Sequence, residues 1–177
     1  MRFPCHPVDA TFFDAAPLRF KHAAEVAARA ADVFAIFEDG ESWPRWFGGI
    51  HKVVWTSKKP YGVGTTRTVW LTPVAVDERF FRWEQGRRFS FYLTGQSMPL
   101  VHALAEDYLL EELAPGKTRF TYTVAIEPRL AFRIGGPIAR RRFDSMFANA
   151  CTGLQSYVLK AGPPASAGEA PRTRNPR

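Results

Sequence analysis

Five polar residues sit inside otherwise apolar, strand-like stretches of the chain: Arg67, Glu78, Tyr92, Asp107 and Tyr122. A strand turns such a side chain either to solvent or to the interior, and an ionised group taken inside needs a partner. For an inward Glu78 that partner would be Arg67 or Arg82. The plainer arrangement, which we favour from sequence, is an exposed Glu78–Arg82 pair along one strand face, contributing about 0–1 kcal/mol. Tyr92 and Tyr122 suit ligand contact better, because a phenol combines apolar area with one hydrogen bond. Which face turns inward is not fixed until strand register is known.

The remaining chemistry-bearing residues are sparse. The histidines at 6, 22, 51 and 102 lack metal-ligand spacing such as His-x-x-x-His. His102 falls in "QSMPLVHALAED", a loop-like segment whose apolar side chains could cover a cavity mouth, although a surface histidine is the plainer reading. Cys5 and Cys151 are the two cysteines. They make no disulfide framework and no short-range zinc pair. There is no G-x-S-x-G elbow. "GVG" at 62–64 lacks the Lys-Ser/Thr that a phosphate loop needs. We expect neither metal nor cofactor.

The 177 residues fit one domain. A net charge of +7 permits weak attraction to anionic partners. Basic residues are spread out except at Arg140, Arg141 and Arg142, and they form no nucleic-acid signature. That trio opens the last helix, the unfavourable end for cations. It reads as a solvated face or as a weak contact with an anionic surface. No apolar run approaches the roughly 18 residues of a membrane span, and the N-terminus shows no signal peptide. A cytoplasmic protein is expected.

Three tryptophans crowd "WPRWFGGIHKVVW" (43–55) beside a proline and two glycines, within a chain that is 14% aromatic. Residues 1–17 read as an irregular arm. "LRFKHAAEV" (18–26) reads as a strand. "AARAADVFAIFED" has helical spacing, and "ESWPRWFGGI" makes a second short helix with Ser42 as N-cap and Pro44 in its first turn. The period then changes from 3.6 to 2 through strands at 51–57, 63–71, 74–84, 87–95, 105–113 and 118–127, joined by turn residues. From Ile138 to about Lys160 one amphipathic helix carries Phe143, Met146, Phe147, Leu154 and Val158 on a single face. Residues 161–177 have the composition of a disordered tail.

In this order the segments "ADVFAIFEDGESWPRWFGGIHKVVWTS", "YGVGTTRTVWL", "VDERFFRWEQGRRFSFY", "AEDYLLEE", "TRFTYTV" and "GLQSYV" resemble the START-like superfamily, in particular its polyketide cyclase/dehydrase and lipid-transport group. The resemblance covers residues 18 to about 160. It implies an α+β helix-grip fold: a curved seven-stranded antiparallel sheet wrapped around the C-terminal helix, two short helices after the first strand, and an apolar cavity between sheet and helix. Residues that would line the cavity are Trp55, Arg67, Trp70, Glu78, Phe91, Tyr92, His102, Asp107, Tyr122, Phe143 and Phe147. Trp43 and Trp46 would plug one end as core packing.

Three functions follow in order of preference. The first is binding of a small hydrophobic or amphipathic molecule, lipid- or polyketide-like. The second is a polyketide cyclase or dehydratase using the same cavity, with no catalytic residue assigned. The third is protein-partner binding through the basic start of the last helix.

Overall fold

The computed structural model describes residues 1–130 and 136–161. In chain order the elements are β1 (Phe3–Pro4), α1 (Phe12–Ala15), β2 (Leu18–Val26), α2 (Ala30–Glu38), α3 (Trp43–Trp46), β3 (Ile50–Trp55), β4 (Thr66–Leu71), β5 (Ala75–Glu84), β6 (Arg88–Gln96), β7 (Val101–Ala114), β8 (Lys117–Pro128) and α4 (Gly136–Ala161). The expected tail lies outside the described residues, apart from the last helical residue.

Seven strands form one antiparallel path in the order β2-β8-β7-β6-β5-β4-β3. The curled sheet and long C-terminal helix are those of the helix-grip fold. The arm adds a short eighth strand. Pairing of β6 with β7 stops at Tyr92↔Ala105, and beyond it Gly95 and Gln96 pair with Pro4 and Phe3. Cys5 N–H then donates to Thr94 O at 3.1 Å, and His6 N–H to His102 O at 2.8 Å. The arm thus occupies the gap where two neighbouring strands part, satisfying backbone groups that would otherwise lie unpaired.

Two strand starts depart from the sequence pattern: β4 begins at Thr66, three residues later than expected, and β7 begins early. β7 begins at Val101, so the segment taken as a loop is extended sheet. Val101, Ala103 and Ala105 are buried, while Leu104 and Glu106 alternate with them, and Tyr108 is buried further along. A strand enclosed on both faces offers little polar–apolar alternation to read.

Three helices close the sheet's inner side. α2 buries Val33, Phe34 and Phe37, spaced for one helical face. In α3, Pro44 occupies the first turn, but the Ser42 hydroxyl does not cap it. It donates backward to Ile36 O and Asp39 O, at 2.6 and 2.8 Å. Trp43 Nε1–H donates to Phe37 O at 3.0 Å, and the Trp43 and Trp46 rings lie 4.7 Å apart. α4 buries Phe147, Ala150, Cys151, Leu154 and Val158. Phe147 packs on Phe20 of β2 and Tyr122 of β8, with ring centroids 5.3 and 5.5 Å apart. Gly153 lets α4 approach α3 so closely that an added Cβ would lie 2.1 Å from Trp46 O. The grip therefore relies on a glycine inside a helix, where glycine is otherwise unfavourable by about 1 kcal/mol.

Candidate functional site

Between the inner face of β4–β7 and the first turns of α4 lies a cavity of about 180 Å³. Its walls are mainly apolar. Ile50, Val69, Leu71, Val76, Leu93 and Leu104 come from strands, Trp43 and Phe47 from α3 and its exit, and Phe143, Met146 and Phe147 from α4. Thr72, Pro73, Val74 and Leu100 border it from two hairpin turns. The polar side chains of the wall from strands are Arg67, Glu78, Gln96, Glu106 and Tyr108.

Their placement follows from register. Arg67 and Glu78 are direct cross-strand partners, Glu78 stands opposite Leu93, Glu106 opposite Phe91, and Tyr108 opposite Tyr122. Period-two alternation sets all of them on the inner face.

Arg67 is 2% exposed and Glu78 5%. Arg67 Nε donates to Glu78 Oε2 at 2.5 Å. The guanidinium is boxed by the rings of Trp43 (4.3 Å), Phe91 (4.9 Å), Trp55 and Phe80 (both 5.2 Å). A delocalised, weakly hydrated cation tolerates that box better than an ammonium would. Its NH1 is buried without a hydrogen-bond partner. Burial pushes the Glu78 carboxyl up, and Arg67 only partly offsets this.

Glu106 is the other carboxylate of the wall. Tyr122 and Tyr108 both donate to its Oε2, at 2.8 and 3.0 Å. Oε1 accepts no hydrogen bond among the described residues and is not among the sealed, unpartnered atoms. It is therefore the oxygen left open on the cavity side. Burial, then the nearby Glu78, push Glu106 up to about 7, against the pull of the two tyrosines and Arg67. Tyr108 and Tyr122 rise well above 10 through burial and the Glu106 charge, so both remain donors. A carboxyl group poised near neutrality can hold or release a proton at physiological pH.

Of the residues expected to line the cavity, Arg67, Glu78, Phe143 and Phe147 do so. Trp55 and Phe91 stand one layer behind, against Arg67, and Tyr122 stands behind Glu106. The others lie elsewhere. Trp70 is on the outer face under Lys52. Tyr92 packs its ring near Phe81. His102 stacks on His6 of the arm, its centroid 5.7 Å away. Asp107 is buried away from the cavity, accepting from Arg88 Nε and NH2 at 2.9 and 3.1 Å and from Ser90 Oγ at 2.6 Å. The favoured Glu78–Arg82 pair does not form. A bulge between Phe80 and Arg82 reverses strand parity. It sends Arg82 outward to Asp107 at 3.6 Å while Glu78 turns in.

Sequence reasoning missed Glu106 and Tyr108, and took Trp43, which also lines the cavity, for core packing alone. A usable signal existed: Leu104, Glu106, Tyr108 and Leu110 alternate, placing one carboxylate on an otherwise apolar face. Choosing Asp107 instead of its neighbour was a parity error of one residue.

Burial pushes the thiols of Cys5 and Cys151 up to about 11 and 12, which removes nucleophilic character. Among the described residues no group of three or more His, Cys, Asp or Glu could hold a metal, and no helix is long and apolar enough to cross a membrane. Arg140, Arg141 and Arg142 are exposed. Arg141 and Arg142 border a shallow open depression with Gly48, Ile138 and Asn149.

Residues 17–159 match the family model described as polyketide cyclase / dehydrase and lipid transport. Uncharacterised proteins of Mycobacterium bovis and Mycobacterium tuberculosis are 39% identical over 124 residues, covering 70% of this chain and 74% of theirs. The fold is similar to a START superfamily protein from Mycobacterium smegmatis, with a TM-score of 0.70 at 15% identity over 81% of this chain and 99% of that one. It is also similar to the ZhuI aromatase/cyclase of Streptomyces sp. R1128, with a TM-score of 0.63 at 16% identity over 81% and 92% of the two chains. With a family match spanning most of its length, the chain belongs to the polyketide cyclase / dehydrase and lipid transport family.

Proposed function

We propose that this protein binds a small hydrophobic or amphipathic molecule, lipid- or polyketide-like, in the cavity between the sheet and α4. The observation that carries the reading is a hollow with mostly apolar walls and a few polar side chains among them. Apolar walls with a few placed polar groups are the usual form of a small-molecule site. At about 180 Å³ the hollow is below the usual 300–1,000 Å³ for ligand pockets, which favours a compact guest. The cytoplasmic setting expected from the sequence belongs to the same proposal.

Native mass spectrometry of the purified protein should show a copurifying small molecule or uptake of added 2-acetylnaphthalene. Leu104→Trp, which fills the hollow from β7, should abolish uptake while the fold persists. Undiminished uptake by that variant would overturn the reading.

One observation supports a second reading, that of a cyclase- or dehydratase-type enzyme. Glu106 faces the cavity with a proton affinity near neutrality, as a general acid–base requires. Turnover of a poly-β-keto thioester, lost in Glu106→Gln, is the test. Turnover unchanged by that substitution would exclude this role.

A further inference from the structure

The two hydrogen bonds on Glu106 end on the same oxygen. Tyr108 and Tyr122 both donate to Oε2, from the same strand and from the neighbouring one. Two hydroxyls donating to Oε2 occupy both of its lone pairs, so the carboxyl's own proton cannot sit on that oxygen while both donate. When Glu106 is neutral, its proton therefore resides on Oε1, the oxygen open to the cavity. It then presents an O–H donor to a largely apolar hollow, and a donor enclosed by apolar walls calls for an acceptor from a guest.

We propose that Glu106 makes the cavity a proton-gated site for a neutral guest carrying a carbonyl oxygen, such as a ketone or ester, which accepts from Oε1–H. The proposal rests on the binding function above and names the polar group its guest carries. Once Glu106 ionises, Oε1 becomes an acceptor with no donor facing it, and a carbonyl oxygen meets it unfavourably.

The surroundings of Glu106 fix the direction of the gate. β4 supplies Arg67, already donating to Glu78 of β5. β7 and β8 supply Tyr108 and Tyr122, whose phenols stay protonated. β6 faces it with Phe91, and α4 borders the cavity with Phe143, Met146 and Phe147, none of them charged. Asp144 of α4 is half-exposed and is held by His22 at 2.9 Å. Glu78 opposes ionisation of Glu106, and Arg67 and the tyrosines favour it.

The test uses two guests with one apolar body, 2-acetylnaphthalene and 2-ethylnaphthalene, titrated by tryptophan fluorescence between pH 5.5 and 8.5. The ratio of their affinities cancels the shared cost of filling the hollow. It should favour the ketone at low pH and fall about tenfold across a midpoint near 7. Glu106→Gln should make the ratio independent of pH. Tyr122→Phe, which removes one hydrogen bond to the ionised form, should move the midpoint upward; it keeps the test decisive if the first variant does not fold. Binding of both guests with a flat ratio, or an unmoved midpoint in Tyr122→Phe, overturns the gate and leaves the binding function standing. Failure of both guests to bind at every pH overturns that function, and the gate with it.

Discussion

Gly153→Ala tests how α4 is held over the sheet. A Cβ at this position would lie 2.1 Å from Trp46 O and 3.2 Å from Trp46 C, whereas ordinary contact begins at 3.4 Å. The two helices must therefore separate by about 1.3 Å, or α3 must tilt. Neither is easy, because Trp43 and Trp46 are 1% and 4% exposed and locked against Phe37. Overpacking of this kind costs about 1–3 kcal/mol. Replacing glycine by alanine within a helix returns about 1 kcal/mol. Since the opposing atom is backbone oxygen on a packed turn, we place the overpacking cost at the upper end of that range. The expected net loss is about 2 kcal/mol, a fall in Tm of roughly 4–8 °C for a chain of this size. Gly48→Ala, where an added Cβ meets nothing within 4 Å, is the control and should change stability by less than about 0.5 kcal/mol. Differential scanning calorimetry of the three proteins decides the matter. A Gly153→Ala protein melting at or above the parent's temperature would show that helix propensity outweighs the contact and that the helices are not so close.

Two further expectations concern the polar wall residues. The Glu106 carboxyl is raised from 4.5 to about 7 in the folded chain, so between those pH values the native state holds a proton that the unfolded state has lost. Stability should therefore fall as pH rises from about 4.5 to 7, by about 3 kcal/mol, and level off above. Glu106→Gln should be the more stable protein at pH 8 and lose that advantage at pH 5, measured by urea unfolding; equal slopes for both proteins would refute the assignment. Arg67→Met should cost about 3–5 kcal/mol at pH 7, because it leaves the buried Glu78 carboxylate without its partner. It should cost less at pH 5, where Glu78 can take up a proton. Adding Glu78→Gln should restore part of the loss, and a single-variant cost below about 1 kcal/mol would mean the pair is not buried as described.

Much of the architecture could be read from pattern alone. The change of period after Gly49, the turn residues between strands and the one-sided helix through Phe147, Leu154 and Val158 give the elements and their order. Composition pointed to a large aromatic interior, and the segment order to the family. These features are legible because periodicity and turn chemistry are properties of neighbours along the chain. The placement of the cavity's polar groups depends on something else. A strand's side chains alternate with period two, so one bulge between Phe80 and Arg82 was enough to exchange the partners of Glu78 and Arg82. One residue of parity separates Glu106 on the cavity wall from Asp107 in its outer cluster. The proton affinity of Glu106 is mostly not of local origin either: it arises from burial and from groups on three other strands, with Tyr108 alone contributing from its own. Local sequence chose the strands and helices; only the closed sheet decided which carboxylate would face the hollow.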